Sequence, residues 1–542
     1  MGEHSEDDKY NNVPYFTALT TYCNYAVIVL LGHIWDFLAN TFGRGDGVNG
    51  ADGSDYAPYV RSFEDFYARR VYSRVSDCWG RPISSAPGAY VSVIEREDNV
   101  EMDWKVDLQP TGKTLDCINL ASYNYLGYGE LPGGIDQDTL EALDKYGVST
   151  GGNSVEGRND ILEELEKTTA DFLDKEASII LGMGFATNSQ VLCSLVGPGC
   201  LLISDALNHA SIVVGSRNSG AKIRTFAHND PKSMENTIRE SIATGQPGTG
   251  KPWRKILVVV EGIYSMEGEI CNLPEIIRVK KKYGVSLFLD EAHSIGAMGG
   301  TGRGVCEYWG VGTKDVDIMM GTFTKSFGAV GGYIAASKDV VDLIRYTSPG
   351  ALYSTTMSPP CVKHILWVLS EIKGEDGTGK GKQRIKQLKE NTIYLRKKLA
   401  EMGLQIYGEP ESPVIPIMIY GVGQIATFSR ECLARGLAVV VVGFPATPLI
   451  LSRARICASA AHTTEDLDKA LEIIKHVAKL SMIYYDTPKR RVPALKAPKK
   501  FEEKVHATDS IFSREEMVEH STENGHTVLP RAAPDFGRFS FI

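Results

Sequence analysis

From Ala177 onward the chain alternates short β-branched runs with helical stretches, and that rhythm restricts it to a mostly parallel sheet wrapped by helices. Ser178–Leu181, Leu201–Ile203, Ile256–Val260, Val285–Leu289 and Val316–Met320 read as buried strands, each followed by a polar or glycine-rich turn. In open α/β sheets ligands sit outside the carboxyl ends of the strands, so the residues just after these runs are the ones to inspect for chemistry. Two long helical patterns, Pro359–Ile372 and Gln383–Met402, lead into a second group of apolar runs at Val414–Tyr420, Leu437–Val442 and Ala454–Ser459. The expected fold class is therefore α/β, with a large domain and a smaller C-terminal α/β domain.

The N-terminal part follows a different rule. Tyr10 to Trp35 contains no Asp, Glu, Lys or Arg and includes the dense run Tyr25–Leu31. A stretch of that length can span hydrocarbon, which takes about 20 residues. Tyr15, Phe16, Tyr22, Tyr25 and Trp35 are suited to interfacial anchoring, and the acidic stretch before them argues against a cleaved signal peptide. Residues 1–40 are predicted to be a membrane-associated segment, and 41–60, rich in glycine, a flexible linker. The large domain with an N-terminal arm then occupies 61–350 and the smaller domain 351–485. Residues 486–542 turn to Lys, Arg, Glu and Pro without periodicity, the composition of a disordered tail.

Composition narrows the function classes. A net charge of −9 supplies no basic field to recruit a phosphate backbone, which argues against nucleic acid as a partner. The 10 cysteines are scattered from Cys23 to Cys457 without a C-x-x-C pair or a His-rich spacing. Neither a metal site nor a disulfide framework is indicated, and a reducing compartment is expected.

The strongest chemical signal is Gly321-Thr-Phe-Thr-Lys-Ser-Phe-Gly328, which sets Lys325 where a strand opens into a turn. Upstream, an apolar strand ends in Asp290-Glu-Ala-His293, so a carboxylate leaves the core at the same sheet edge. A buried aspartate needs a cationic or donor partner. The protonated pyridine nitrogen of pyridoxal phosphate (PLP) is such a partner, and its protonation makes the ring an electron sink. His293 is then placed to donate to the ring's phenolic oxygen. Gly182-Met-Gly-Phe185 offers free backbone N–H groups at a helix start for the phosphate, and Thr322 and Thr324 flank the lysine with hydroxyl donors. His209, after another strand, is a candidate for stacking on the ring.

Taken together, these motifs resemble the α-oxoamine synthases, fold-type I PLP enzymes that include aminolevulinate and 8-amino-7-oxononanoate synthases. The resemblance runs from about Tyr59 to Leu480. It is carried by Ala121-Ser-Tyr-Asn-Tyr-Leu-Gly127, Gly182–Asn188, Leu207-Asn-His-Ala-Ser211, Glu261-Gly-Ile-Tyr-Ser-Met-Glu-Gly268, Asp290–Gly296, Gly321–Gly328 and Gly443-Phe-Pro-Ala-Thr-Pro448. It implies that Lys325 carries the cofactor, Asp290 pairs with the pyridine nitrogen, and His293 and Ser265 address the phenolic oxygen. His209 would stack on the ring. Gly184, Phe185 and Thr322 would hold the phosphate, with Thr355 reaching it across a subunit interface.

For the substrate, the resemblance points to Arg455 as the carboxylate fork, Arg453 as runner-up, and Asn124 and Thr447 as further contacts. The Pro-Ala-Thr-Pro loop and the following Arg453–His462 tract look like the branch that joins L-serine to palmitoyl-CoA. That branch implies a partner subunit lacking the lysine, in a heterodimer or higher oligomer, and small membrane regulators. It also implies an endoplasmic-reticulum membrane location, with the catalytic body facing the cytosol. One stretch departs from the family pattern: Gly151-Gly-Asn-Ser-Val-Glu-Gly157 and Leu162 stand where relatives carry an Arg-containing turn and a His. Two alternatives follow, a relative using glycine or alanine with a shorter acyl-CoA, and a non-catalytic regulatory subunit.

Overall fold

The computed structural model describes residues 13–41, 66–67, 70–98, 108–130, 137–153, 155–444 and 446–485. The predicted tail at 486–542 and the linker from 42 to 60 lie outside the described residues.

The first described helix, α1 (Tyr15–Thr41), is long and apolar enough by composition to cross a membrane between Tyr15 and Leu38. Among the described residues, one stripe of it meets the body. Thr21, Tyr25 and Gly32 are buried and Ile28 partly so, at the spacing that puts them on one helical face. A Cβ at Gly32 would lie 2.7 Å from the Phe66 ring, so glycine permits this close approach. His33 stacks on Phe66 at 4.2 Å, and Asp36 pairs with Arg70. Phe16, Leu19, Val27, Leu30, Leu31, Ile34 and Trp35 point outward and are exposed.

A hairpin follows, β1 (Tyr90–Asp98) against β2 (Leu108–Asn119). The central sheet is then assembled from β3 (Ala177–Leu181), β4 (Leu201–Asp205), β5 (Lys222–Phe226), β6 (Ile256–Glu261), β9 (Ser286–Asp290), β10 (Ile318–Thr322) and β11 (Gly332–Ala336). A two-stranded ribbon, β7 (Ile263–Tyr264) and β8 (Glu269–Ile270), projects after β6. The strand order is β3-β11-β10-β9-β6-β4-β5, and β11 alone runs against its neighbours. The mostly parallel sheet expected from the sequence is present. Its strands are nearly continuous apolar runs because helices cover both faces, and residues such as Leu201, Val258, Leu287 and Met319 are fully buried.

A smaller antiparallel sheet is formed by β12 (Val414–Tyr420), β14 (Val440–Val442) and β15 (Ser452–Cys457), with β15 central. The predicted single strand Leu437–Val442 is split. Its first half, β13 (Leu437–Ala438), pairs with β2, and its second half pairs with β15. Val439 separates the two pairings, letting one short apolar run serve two sheets. All 10 cysteines are free.

Candidate active site

The parallel register aligns the carboxyl ends of adjacent strands, so their last residues form one row. Glu261 stands opposite Asp290 across β6 and β9, and Met320 opposite Asp290 across β9 and β10. Beyond that row the chain turns into the segments that the motifs singled out.

Lys325 sits in a loop that is closed on itself. The Thr322 hydroxyl donates to the Gly331 carbonyl at 2.8 Å, Phe323 N–H donates to the same carbonyl at 3.0 Å, and Ala329 N–H donates to Phe323 at 2.9 Å. The Ser326 hydroxyl donates to the Ile295 carbonyl at 2.7 Å, pinning the lysine loop to the turn that carries His293. Gly328, at φ +62°, ends the loop where a Cβ would fall 2.4 Å from the Tyr128 backbone, so only glycine lets the chain pass. Burial pushes the Lys325 ammonium down to about 8, with Asp290 and Glu261 pulling the other way. The amine is thereby poised near neutrality, where a proton acceptor works best.

The Asp290 carboxyl is buried. Its Oδ2 accepts from Asn188 Nδ2 at 2.7 Å and its Oδ1 from Ala292 N–H at 2.8 Å. His293 is buried, and its Nδ1 shares a 2.7 Å hydrogen bond with the Tyr125 hydroxyl. Burial and the nearby Lys325, Arg455 and His209 hold that imidazole well below its usual value. His209 caps the helix Ala210–Asn218, with Nδ1 2.7 Å from the Ser211 hydroxyl. Its backbone N–H donates to Glu261, and its ring meets Phe185 edge-on at 6.0 Å. Burial lowers its pKa as well, opposed by Asp290.

Where the phosphate is expected, Gly184 begins the helix Gly184–Leu195 with its amides unclaimed by a side-chain cap. A Cβ there would lie 2.7 Å from Thr322 Oγ1, so Gly184 keeps the helix start and the threonine in contact. Thr322 and Thr324 hydroxyls are 2.7 Å apart, and Phe185 is half exposed beside them. The Thr355 side chain is exposed, and its carbonyl faces Gly182. The unusual 151–157 tract packs against this same segment: Thr356 N–H donates to Gly152 at 2.8 Å and Asn153 Nδ2 to Leu352 at 2.8 Å.

The two arginine candidates separate clearly. Arg453 is committed to the Leu451 carbonyl at 3.0 Å, the Met266 carbonyl at 2.6 Å and Glu267 at 3.3 Å. Arg455 Nε is buried and has no hydrogen-bond partner among the described residues. Asn124 uses both ends of its amide internally, donating to Pro87 at 2.8 Å and accepting from Gly129 N–H at 3.0 Å. Thr447 is buried with no partner for its hydroxyl among the described residues. Ser265 is buried next to Tyr123, whose hydroxyl it hydrogen-bonds.

Three residues of this site were not singled out from the sequence. Tyr123 presents its face to Arg455 at 4.2 Å and to Lys325 Nζ at 5.4 Å, and meets His293 edge-on at 4.7 Å. Glu261 ends β6 as Asp290 ends β9, and burial with the Asp290 charge raises its pKa well above the usual range. Asn188 lies one helical turn beyond Gly184, a spacing that could have marked it.

These residues fit PLP. A buried carboxyl, a lysine with a lowered pKa, and a helix start whose amides no side chain caps, with two threonine hydroxyls beside it, match the pyridine, aldehyde and phosphate ends of that molecule. The family model for aminotransferase class I and II matches residues 115–474. The chain belongs to the class I and II aminotransferase family. Within this aminotransferase family it is 51% identical over 474 residues to long chain base biosynthesis protein 2d of Oryza sativa subsp. japonica, covering 87% of this chain and 96% of that protein. It is 47% identical over 482 residues to serine palmitoyltransferase 2 of Dictyostelium discoideum, covering 89% and 97% of the two. Among solved structures of the aminotransferase fold, a serine palmitoyltransferase from S. paucimobilis with bound PLP-myriocin aldimine superposes with a TM-score of 0.67 at 26% identity. That match spans 79% of this chain and all of the other.

Proposed function

We propose that the chain is the lysine-bearing catalytic subunit of a serine palmitoyltransferase, joining L-serine to palmitoyl-CoA with loss of carbon dioxide to give 3-oxosphinganine, the first step of sphingolipid synthesis. The observation that carries this reading is the convergence of Lys325 and Arg455 on the Tyr123 ring, with the Asp290 carboxyl close enough to act on the Lys325 charge, at the carboxyl edge of the sheet. PLP supplies the electron sink that makes the Cα proton of an amino acid removable.

The rest of the chemistry belongs to the chain's own groups. Lys325 would hold the cofactor, and its free amine would take the Cα proton on Nζ. Asp290 keeps the pyridine nitrogen protonated, and Asn188 and the Ala292 amide hold that carboxyl in place. His293 and Ser265 address the phenolic oxygen, and His209 covers the ring face. Gly184, Phe185, Thr322 and Thr324 retain the phosphate, with Thr355 offered to the site of a neighbouring subunit. Arg455 grips the serine carboxylate bidentately, with Tyr123 fixing the plane of its guanidinium. The new bond would form between the serine Cα and the palmitoyl carbonyl as CoA departs as its thiol, the carboxylate would then leave as carbon dioxide, and Lys325 Nζ would return a proton to Cα. Thr447 and Asn124 line the substrate side.

The exposed face of α1 anchors the body to a bilayer, and the resemblance assigns that bilayer to the endoplasmic reticulum with the body on the cytosolic side. The partners are the non-lysine first subunit of serine palmitoyltransferase and small membrane regulators. Co-purification from membranes, spectral titration with L-serine and a product assay with palmitoyl-CoA test the whole reading. Formation of 3-oxosphinganine in preference to the products of glycine or alanine is expected. A purified complex without a PLP absorbance band would overturn it.

A further inference from the structure

A buried ion-paired histidine lies behind the cofactor edge, and the chemistry above does not use it. His228 follows β5, with Nδ1 2.8 Å from Asp205 Oδ1 and Nε2 3.2 Å from Glu269 Oε2. Its side chain is 4% exposed, and its ring meets Tyr264 edge-on at 4.4 Å. Asn229 repeats the same bridge with neutral groups. Its N–H donates to Asp205 Oδ2 at 2.8 Å, its Nδ2 donates to the Ile270 carbonyl at 3.1 Å, and its Oδ1 accepts from Asn272 N–H at 2.8 Å.

The two ends of this bridge are informative. Asp205 ends β4, four residues before His209, and its Oδ1 also caps Leu207 N–H at 2.9 Å in the turn that delivers His209. Glu269 and Tyr264 belong to the β7–β8 ribbon, whose tip carries Ser265 and whose Met266 and Glu267 hold Arg453. The Tyr264 hydroxyl accepts from Glu261 N–H at 3.3 Å, next to the carboxyl that holds the His209 backbone. One imidazole thus ties together the segment behind one face of the proposed ring site and the segment beside its phenolic oxygen.

We propose that His228, acting as a cation with Asn229 beside it, is a positioning residue that fixes the spacing between the His209 turn and the Ser265 ribbon. It touches neither substrate nor cofactor. The proposal rests on the functional reading above and adds a residue that reading does not contain.

The groups facing the imidazole are Asp205, Glu269 and Tyr264, with Glu409 beyond Glu269 and Glu261 beyond Tyr264. Burial alone would lower the histidine pKa, but the hydrogen bond to Asp205 and the nearby Asp205 and Glu269 charges raise it from 6.5 to about 9. The raised direction means that the pairing is complete below the ordinary histidine value and is lost as pH rises through about 9.

The test uses full-length holoenzyme co-purified with its partner subunit, carrying His228→Gln, or His228→Gln with Glu269→Gln to remove the charge imbalance. Both variants are expected to bind PLP and keep a KM for L-serine near that of the wild type. Their kcat is expected to fall by about a hundredfold, as displacement of a reacting group by about 1 Å does. The wild-type cofactor absorbance should also change with a midpoint near pH 9 that both variants lack. Wild-type kcat and an unaltered pH profile in the double variant would overturn the proposal. So would a loss of activity that only tracks a loss of folded protein. An inactive wild-type complex would instead count against the functional reading itself.

Discussion

The Arg455 guanidinium lies 4.2 Å from the centre of the Tyr123 ring, buried, its Nε without a hydrogen-bond partner among the described residues, while Arg453 two residues earlier on the same strand bonds to the Leu451 and Met266 carbonyls and Glu267. The arrangement separates the arginine proposed to grip the substrate carboxylate from a structural one, and the two should respond differently to substitution.

Arg455→Ala should leave the fold intact and raise KM for L-serine. The missing charged hydrogen bonds are worth about 1.5–3 kcal/mol, roughly ten- to a hundredfold in binding. Arg453→Ala should destabilise the protein by about 3–5 kcal/mol, because it strands buried Glu267 and the Leu451 and Met266 carbonyls. Steady-state kinetics and thermal melts on both variants distinguish the two roles.

Tyr123→Phe retains the ring face and should preserve most activity. Tyr123→Ala removes the surface that both Arg455 and Lys325 approach, and should cost about 1–2 kcal/mol of transition-state stabilisation through lost cation–π contact alone. The kcat/KM values of the pair measure that difference.

Lys325→Ala should abolish both the absorbance of the lysine-linked cofactor and product formation. A variant that kept turnover would refute the assignment of the lysine.

In protein stripped of PLP, recapture of the cofactor requires the neutral Lys325 amine. Its rate should therefore climb as pH rises through about 8 and level off above that. Asp290 favours the ammonium form, so Asp290→Asn should move the midpoint downward. Stopped-flow absorbance across a pH series gives both midpoints.

Replacing Leu30, Leu31 and Ile34 together with Asp should release the chain from vesicles. These side chains are exposed in α1, and each contributes about 1.5–3 kcal/mol when withdrawn from water. Vesicle co-sedimentation reads the effect, with the melting temperature of the body expected to stay constant.

Much of this site could be read from local pattern. Lys325 and Asp290 each follow an apolar run that becomes a buried strand, and the parallel register then brings the two strand ends side by side. Strand β5 escaped because Lys222–Phe226 is a short edge strand with little burial, and β11 because Gly332–Ala336 lies too close behind the lysine loop to register as a separate element. Tyr123 sits in a turn, where no periodicity marks which side chain faces inward.

The order of apolar runs and the polar residue closing each one were enough to set the fold class and to nominate the lysine and the aspartate, because strand burial and strand ends are local properties of a chain. The choice between Arg453 and Arg455 was not local, since both occupy the same face of β15. It was made by the β7–β8 ribbon, nearly 190 residues earlier, whose Met266 carbonyl and Glu267 carboxyl meet Arg453 and leave Arg455 turned toward Tyr123.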